Sequence, residues 1–165
     1  RLNDDQWLTL RPIRPEDEPL WHALLGRCSP ETIRLRFHYL FKSSTHEMDV
    51  RFCFIDYDRE MTIVAEIGDG TERQLIGAAS LIADADHRDA EYALLVGDAW
   101  QGKGVGATLT NYTLDICRQW GIKKVVAEVA MDNCRMLRML EHRGFALDRT
   151  VAEDVVFARK LIDAC

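Results

Sequence analysis

Apolar and polar positions alternate in Leu8-Thr9-Leu10-Arg11-Pro12-Ile13, a period of two that predicts a first strand. All four prolines fall between positions 12 and 30 and mark turns around two short helices. The first opens on Pro15-Glu16-Asp17-Glu18, acidic groups suited to a first helical turn, and carries Leu20, Trp21, Leu24 and Leu25 as its apolar stripe. The second opens with Ser29 as N-cap, Pro30 at the first helical position and an acid just inside. Ile33, Phe37, Leu40 and Phe41 form its apolar face, interleaved with Arg34, Arg36 and His38. Thr45 to Phe54 holds another short helix. From Met61 the period changes: Met61–Ile67 and Gln74–Ala83 read as a hairpin around Gly68-Asp69-Gly70. Ala90–Val96 is a third, mostly apolar member of this sheet after the polar loop 84–89. Val105 to about Trp120 is helical, with Val105, Leu109, Tyr112 and Ile116 at spacings of three and four, and Gly121 stops it. Lys123–Met131 is a strand and Asn133–Arg143 a helix ended by Gly144 as a left-handed cap. Phe145–Val151 and Asp154–Leu161 close the chain as two strands.

This order is neither a repeat array nor a regular alternation of strand and helix. At 165 residues one domain is the natural count, and a chain of this length buries most of its apolar surface in a single core. Hydrophobic residues at 47% and charged residues at 29% describe an ordinary globular protein. No uninterrupted apolar run is long enough to span a bilayer, and no signal peptide opens the chain. Arg1 rather than Met stands first, as in a fragment of a longer polypeptide. A net charge of −6 argues against general nucleic-acid binding and is compatible with a cationic acceptor. Five scattered cysteines without a CxxC pair suggest neither a disulfide framework nor a zinc site; reduced thiols point to the cytoplasm.

The most informative stretch is Gln101-Gly102-Lys103-Gly104-Val105-Gly106-Ala107, a glycine-rich turn opening a helix. Unpaired N–H groups and the positive end of the helix dipole suit phosphate oxygens there, and missing side chains let the phosphates come close. A Walker loop needs Ser or Thr after Gly-Lys, whereas here Gly102-Lys103 runs into Gly104 and Val105 follows. The dinucleotide pattern is met literally by Gly102, Gly104 and Ala107, but the preceding strand ends several residues too early and a doubly wound sheet is not predicted. The pattern Q/R-x-x-G-x-G/A, met by Gln101, Gly104 and Gly106, resembles the acyl-CoA pyrophosphate loop of the GNAT N-acetyltransferases. The order of elements resembles that superfamily along nearly the whole chain. A glycine turn that only caps a helix is the plainer alternative.

The resemblance implies an α/β (α+β) fold: a mixed, mostly antiparallel sheet of about 6–7 strands flanked by helices, splayed between the fourth and fifth strands. It implies acetyl-CoA as acyl donor, its pantetheine arm on main-chain groups of Leu94, Leu95 and Val96 and its pyrophosphate on Gln101, Gly102, Lys103, Gly104, Val105, Gly106 and Ala107. Asn133 matches the family's Asn near the start of the following helix, and Glu141, Gly144 and Phe145 keep part of the downstream signature. Where many members place a proton-donating Tyr this chain has Leu140, so thiolate release needs water, a main-chain dipole or another group; Cys134 and Tyr112 are candidates.

Attack by an amine on the thioester needs a base, because a lysine amine with a reference pKa of about 10.4 is mostly protonated at neutral pH. Glu91 stands in an otherwise apolar strand, where desolvation would strengthen it as a base. Ala90–Val96 followed by Gln101–Gly106 looks like the Pat-type protein lysine acetyltransferases, whose catalytic Glu falls at this strand position. A solvent-facing polar residue on an alternating strand explains Glu91 equally simply. Glu128 is a second candidate to orient water or the amine. Glu66 reads as an outward strand residue, His87 as part of a solvated loop, and Cys53 and Cys117 as core.

Residues 29–37 resemble the segment Pat-type enzymes place beside the acceptor, which implies a protein lysine, for instance on an acyl-CoA synthetase, and a regulatory domain fused outside this chain. Arg34, Arg36 and His38 as the wet face of a helix is the alternative. A small-amine acetyltransferase and a non-catalytic acyl-CoA sensor remain open beside the protein acetyltransferase.

Overall fold

A computed structural model describes residues 7–37, 45–55, 57–150 and 153–162. Its elements in chain order are β1 (Thr9–Pro12), α1 (Glu18–Arg27), α2 (Pro30–Phe37), α3 (His46–Cys53), β2 (Glu60–Ile67), β3 (Gln74–Ala83), β4 (Asp89–Val96), α4 (Val105–Trp120), β5 (Lys124–Ala130), α5 (Cys134–His142), β6 (Ala146–Asp148) and β7 (Val155–Leu161). Single 3₁₀ turns at Pro15–Asp17, Gly70–Glu72 and Asp98–Trp100 join them. Leu40, Phe41 and His38, which the sequence puts on α2, lie outside the described residues. Among the described residues no helix is long and apolar enough to cross a membrane.

The seven strands form one sheet in the order β1-β2-β3-β4-β5-β7-β6. Every neighbouring pair is antiparallel except β4 and β5, which run parallel. Both faces are covered. On one lies α4, whose Val105, Leu109, Leu114 and Cys117 join Ile76, Ala79, Leu81, Tyr92 and Val125 in a buried cluster. On the other, Trp21, Leu24 and Leu25 of α1, Ile33 of α2 and Cys53 of α3 pack on Val64, Leu75, Ala78 and Leu95. Leu94 and Leu95 therefore serve different cores, as the alternation of a strand requires.

The buried side of α4 differs from its apolar pattern. Tyr112 is exposed, while Thr110 and Thr113 are buried. Their hydroxyls donate back to the carbonyls of Gly106 and Leu109, each at 2.8 Å, so both bury without an orphaned polar group. The helix sits close to β3 because Gly77 has no side chain: a Cβ there would stand 3.1 Å from Leu109 Cδ1 and 3.2 Å from Val105 Cγ1. At the other end β6 is shorter than its apolar run. The Asp148 carboxylate accepts the N–H and hydroxyl of Thr150 and turns the chain away after three strand residues.

Candidate active site

The site begins where β4 and β5 part. Their parallel pairing covers only Asp89, Ala90 and Glu91 opposite Lys124, Val125 and Val126. Beyond Glu91, β4 continues for five residues along β3 while its other edge loses its neighbour. Register decides which main-chain groups face the opening. Gly97 N–H donates to Ile76 C=O and Asp84 N–H to Asp89 C=O, which makes Ala78–Leu95 one of the narrow bonded pairs of the β3–β4 ladder. Leu95 therefore spends its main-chain groups on β3, and Leu94 and Val96 turn theirs toward the gap. Leu94, Leu95 and Val96, the three residues expected to hold a pantetheine arm, all line the cavity that opens there, with the Leu95 side chain buried in the core beneath α1.

The gap opens into a cavity of about 700 Å³. Leu94 and Val96 line one side, the loop residues Gln101, Gly102, Gly104, Gly106 and Ala107 another, and Asp132, Asn133, Cys134 and Met136 at the start of α5 a third. That volume is within the usual range for a small-molecule site. Two glycines of the loop adopt conformations that L-residues avoid, Gly102 at φ 77° and Gly104 at φ 98°. The first helical bond of α4 runs from Thr108 N–H to Gly104 C=O, 3.0 Å. The N–H groups of Val105, Gly106 and Ala107 precede it, so the helix itself gives them no acceptor. Gly106 has a further role, since an added Cβ would stand 3.2 Å from Leu94 Cδ2 and 3.6 Å from Val96 Cγ2. Glycine brings the first turn of α4 down onto the strand that carries the gap-facing groups. The residues present therefore fit an acyl-CoA: donors at a helix entrance for its phosphates, and an open strand edge for its arm.

Gln101 lines the cavity, and its side chain is held by protein groups around it. Its side-chain amide donates to Val96 C=O at 3.0 Å and to Thr32 Oγ1 at 3.1 Å, and its oxygen accepts from Arg135 Nη1 at 3.2 Å. It braces the loop, α2 and α5 around the cavity. Asp98 does the same, accepting Ser29 N–H at 2.9 Å. Burial disfavours its charge, yet the main-chain and hydroxyl donors of Ser29 and the Thr32 hydroxyl outweigh that and hold the Asp98 carboxyl below the ordinary aspartate range. These braces join parts some seventy positions apart, and no local pattern announces them. Lys103 Nζ lies 5.1 Å from the centre of the Trp100 ring. Val105 contributes its main chain, its side chain being buried in the core. Asn133 lines the cavity and caps α5, its side-chain oxygen accepting Met136 N–H at 3.4 Å.

Thr32, Leu35 and Arg36 make α2 a wall of the cavity. Arg34 is bridged to Glu31 at 2.6 Å and to Asp132 at 2.7 Å, fastening that wall to the β5–α5 junction.

Glu91 is exposed, which removes the desolvation expected of it. It lines a second, shallower recess of about 330 Å³ with Asp84, Asp89, Ala90, Val126, Glu128 and Phe157, at the point where β4 and β5 separate. Glu91 and Glu128 share that recess, whereas His87 lies on the hairpin tip near Trp120, ring centres 5.4 Å apart. Glu66 is not simply outward: it accepts Arg11 Nε at 2.7 Å, tying β1 to β2. Leu140 is fully buried, and of the two candidate proton donors Cys134 lines the cavity while Tyr112 does not. Burial pushes the Cys53 and Cys117 thiols up to about 12, which leaves them inert as core.

Comparison with known proteins agrees with this geometry. The family model of the Acetyltransferase (GNAT) family matches residues 27–145. An acetyltransferase of Pseudomonas aeruginosa is 26% identical over 148 residues, spanning 90% of this chain and 80% of its own length. The acetyltransferase Pat of Mycolicibacterium smegmatis is 28% identical over 148 residues, 87% of this chain but only 43% of Pat. The solved GNAT domain of S. lividans PAT superposes with a TM-score of 0.88 at 26% identity, covering 97% of this chain and 93% of that domain. The chain belongs to the Acetyltransferase (GNAT) family, whose enzymes take their acetyl group from acetyl-CoA.

Proposed function

We propose that this protein transfers the acetyl group of acetyl-CoA to a lysine ε-amine of a protein, with Glu91 as general base. The observation that carries the reading is the shared origin of the two recesses. The cavity fit for acyl-CoA and the acidic recess both start where β4 leaves β5, one beyond Glu91 along β4 and the other at Glu91 itself. Bound acetyl-CoA supplies an activated thioester. In this reading, main-chain groups of Leu94 and Val96 orient its arm, and the N–H groups of Gly102 through Ala107 hold its pyrophosphate. The recess suits a lysine: Val126 and Phe157 offer apolar surface to its stem, and Glu91 and Glu128 line it with carboxylates for its cationic end, beside Asp89, which pairs with Lys124 at 3.4 Å, and Asp84, which accepts Arg88 N–H. Glu91 accepts a proton from the ammonium, directly or through water, and frees the amine for attack. Leu140 lies in the core and gives the leaving thiolate no proton, which leaves that step to water, a main-chain dipole or another group such as Cys134, which lines the cavity. The resemblance to Pat-type enzymes supports a protein acceptor, with an acyl-CoA synthetase as the natural first candidate.

Thiol release from acetyl-CoA, followed with a purified acyl-CoA synthetase and separately with polyamines, tests the acceptor. Glu91→Gln is expected to lower turnover by roughly 10²–10⁴-fold with acetyl-CoA affinity unchanged. Full activity in that variant removes Glu91 from the chemistry, and turnover with polyamines alone replaces the protein acceptor with a small amine.

A further inference from the structure

The buried hydroxyl of Tyr92 has no part in the chemistry above, yet it sits between the two halves of the cofactor site. Tyr92 lies on β4 two residues before Leu94, 3% exposed within the cluster beneath α4. Its oxygen is 2.8 Å from Thr110 Oγ1. The direction of that bond follows from proton counting. The single Thr110 hydroxyl proton goes to Gly106 C=O at 2.8 Å, so Tyr92 O–H must donate to Thr110. The chain Tyr92 to Thr110 to Gly106 thus runs from the strand to the first turn of α4. Gly106 also rests on Leu94 and Val96 through the close approach described above. Strand and helix are therefore fastened at two places one helical turn apart, by a hydrogen bond at Thr110 and by contact at Gly106. Two such points oppose both sliding and rolling of the helix on the strand.

We propose that Tyr92 is a positioning residue for acetyl-CoA: through Thr110 it sets the distance between the strand edge that takes the pantetheine arm and the helix entrance that takes the pyrophosphate. The proposal rests on the acyl-CoA reading of this cavity. Its consequence is specific to a ligand that bridges both halves. Loss of the hydroxyl lets α4 settle differently on β4, so each half still binds its own fragment while the intact molecule no longer meets both well. Simple loosening of the core would instead weaken the fragments too.

The test compares wild type, Tyr92→Phe, Thr110→Ser and Thr110→Val by titration with acetyl-CoA, S-acetylpantetheine and 3′-phosphoadenosine 5′-diphosphate. Tyr92→Phe is expected to weaken acetyl-CoA roughly tenfold, the scale of one buried hydrogen bond, and to leave each fragment within about twofold. KM for acetyl-CoA rises in step and kcat at saturation holds. Thr110→Ser keeps the hydroxyl and behaves as wild type, whereas Thr110→Val matches Tyr92→Phe and the double variant adds nothing further. Unchanged acetyl-CoA affinity in both Tyr92→Phe and Thr110→Val, or a loss shared by either fragment, overturns the proposal. A wild-type protein that binds neither acetyl-CoA nor a fragment overturns the cofactor reading itself, which separates the two failures.

Discussion

Gly77 holds the first turn of α4 against the sheet, and replacing it with Ala tests that seating directly. The added Cβ meets Leu95 main-chain oxygen at 3.0 Å, Leu109 Cδ1 at 3.1 Å and Val105 Cγ1 at 3.2 Å. The carbonyl is locked in the β3–β4 ladder, so the two side chains on α4 must give way by a few tenths of an ångström. Overpacking of this kind costs about 1–3 kcal/mol. The reduced freedom of the unfolded chain returns roughly 0.5–1 kcal/mol, leaving a net loss of about 1–2 kcal/mol. For a chain of this size that lowers Tm by about 2–8 °C. Val105 is also the first residue of α4, so the displacement reaches the glycine loop proposed to hold the pyrophosphate, and acetyl-CoA affinity is expected to fall with stability. Gly26, in α1, provides the control: nothing lies within 4 Å of an added Cβ, and Gly26→Ala is expected to gain about 0.5–1 kcal/mol with binding unaltered. Thermal melts with and without acetyl-CoA, with a titration of each variant, read both effects. A Gly77→Ala protein that melts at or above wild type and binds acetyl-CoA equally well refutes close seating of α4 on β3.

Two further outcomes follow from an ion pair outside the cavity and from a thiol that lines it. Burial disfavours the Asp17 carboxylate, but the bidentate Arg11 guanidinium (2.7 and 2.8 Å) and the Arg14 N–H hold its pKa below the ordinary range. A depressed folded pKa adds stability above the unfolded value, near 4, that is lost as pH falls through the folded one. Arg11→Met is therefore expected to cost about 3–5 kcal/mol at neutral pH, with the gap to wild type narrowing on acid titration below pH 4; a gap constant from pH 7 to 3 would contradict the pairing. Cys134 is exposed at the cavity, whereas Cys53 and Cys117 are buried. A thiol reagent read by mass mapping should label Cys134 well before those two, and saturating acetyl-CoA should slow it; labelling indifferent to acetyl-CoA would separate the cavity from the cofactor.

Local periodicity and turn chemistry were sufficient for most of the elements. Gln74–Ala83 and Val105–Trp120 begin and end where the pattern puts them, because Gly121 at φ 76° stops the helix and the hairpin glycines turn the strand. The glycine loop was legible for the same reason: left-handed glycines before an amphipathic helix are a statement about neighbouring residues only. What the chain could not declare locally depends on partners far away in sequence. The parting of β4 from β5 after Glu91 and Val126 is a property of two strands, and the register with β3 turns Leu94 and Val96, not Leu95, to the gap. Gln101 braces Thr32 and Arg135 because folding brings three elements to one cavity. Glu91 stands exposed on a strand whose neighbours Ala90 and Tyr92 are buried, an outcome of packing between distant segments. Thr110 and Thr113 replace Tyr112 on the buried side of α4, since their hydroxyls are satisfied within the helix and their small size lets it approach the sheet. Sequence by itself determined most of the elements and the glycine-rich helix entrance with its unpaired N–H groups, because both rest on neighbouring residues; pairing register and packing between distant segments decided which groups face that entrance.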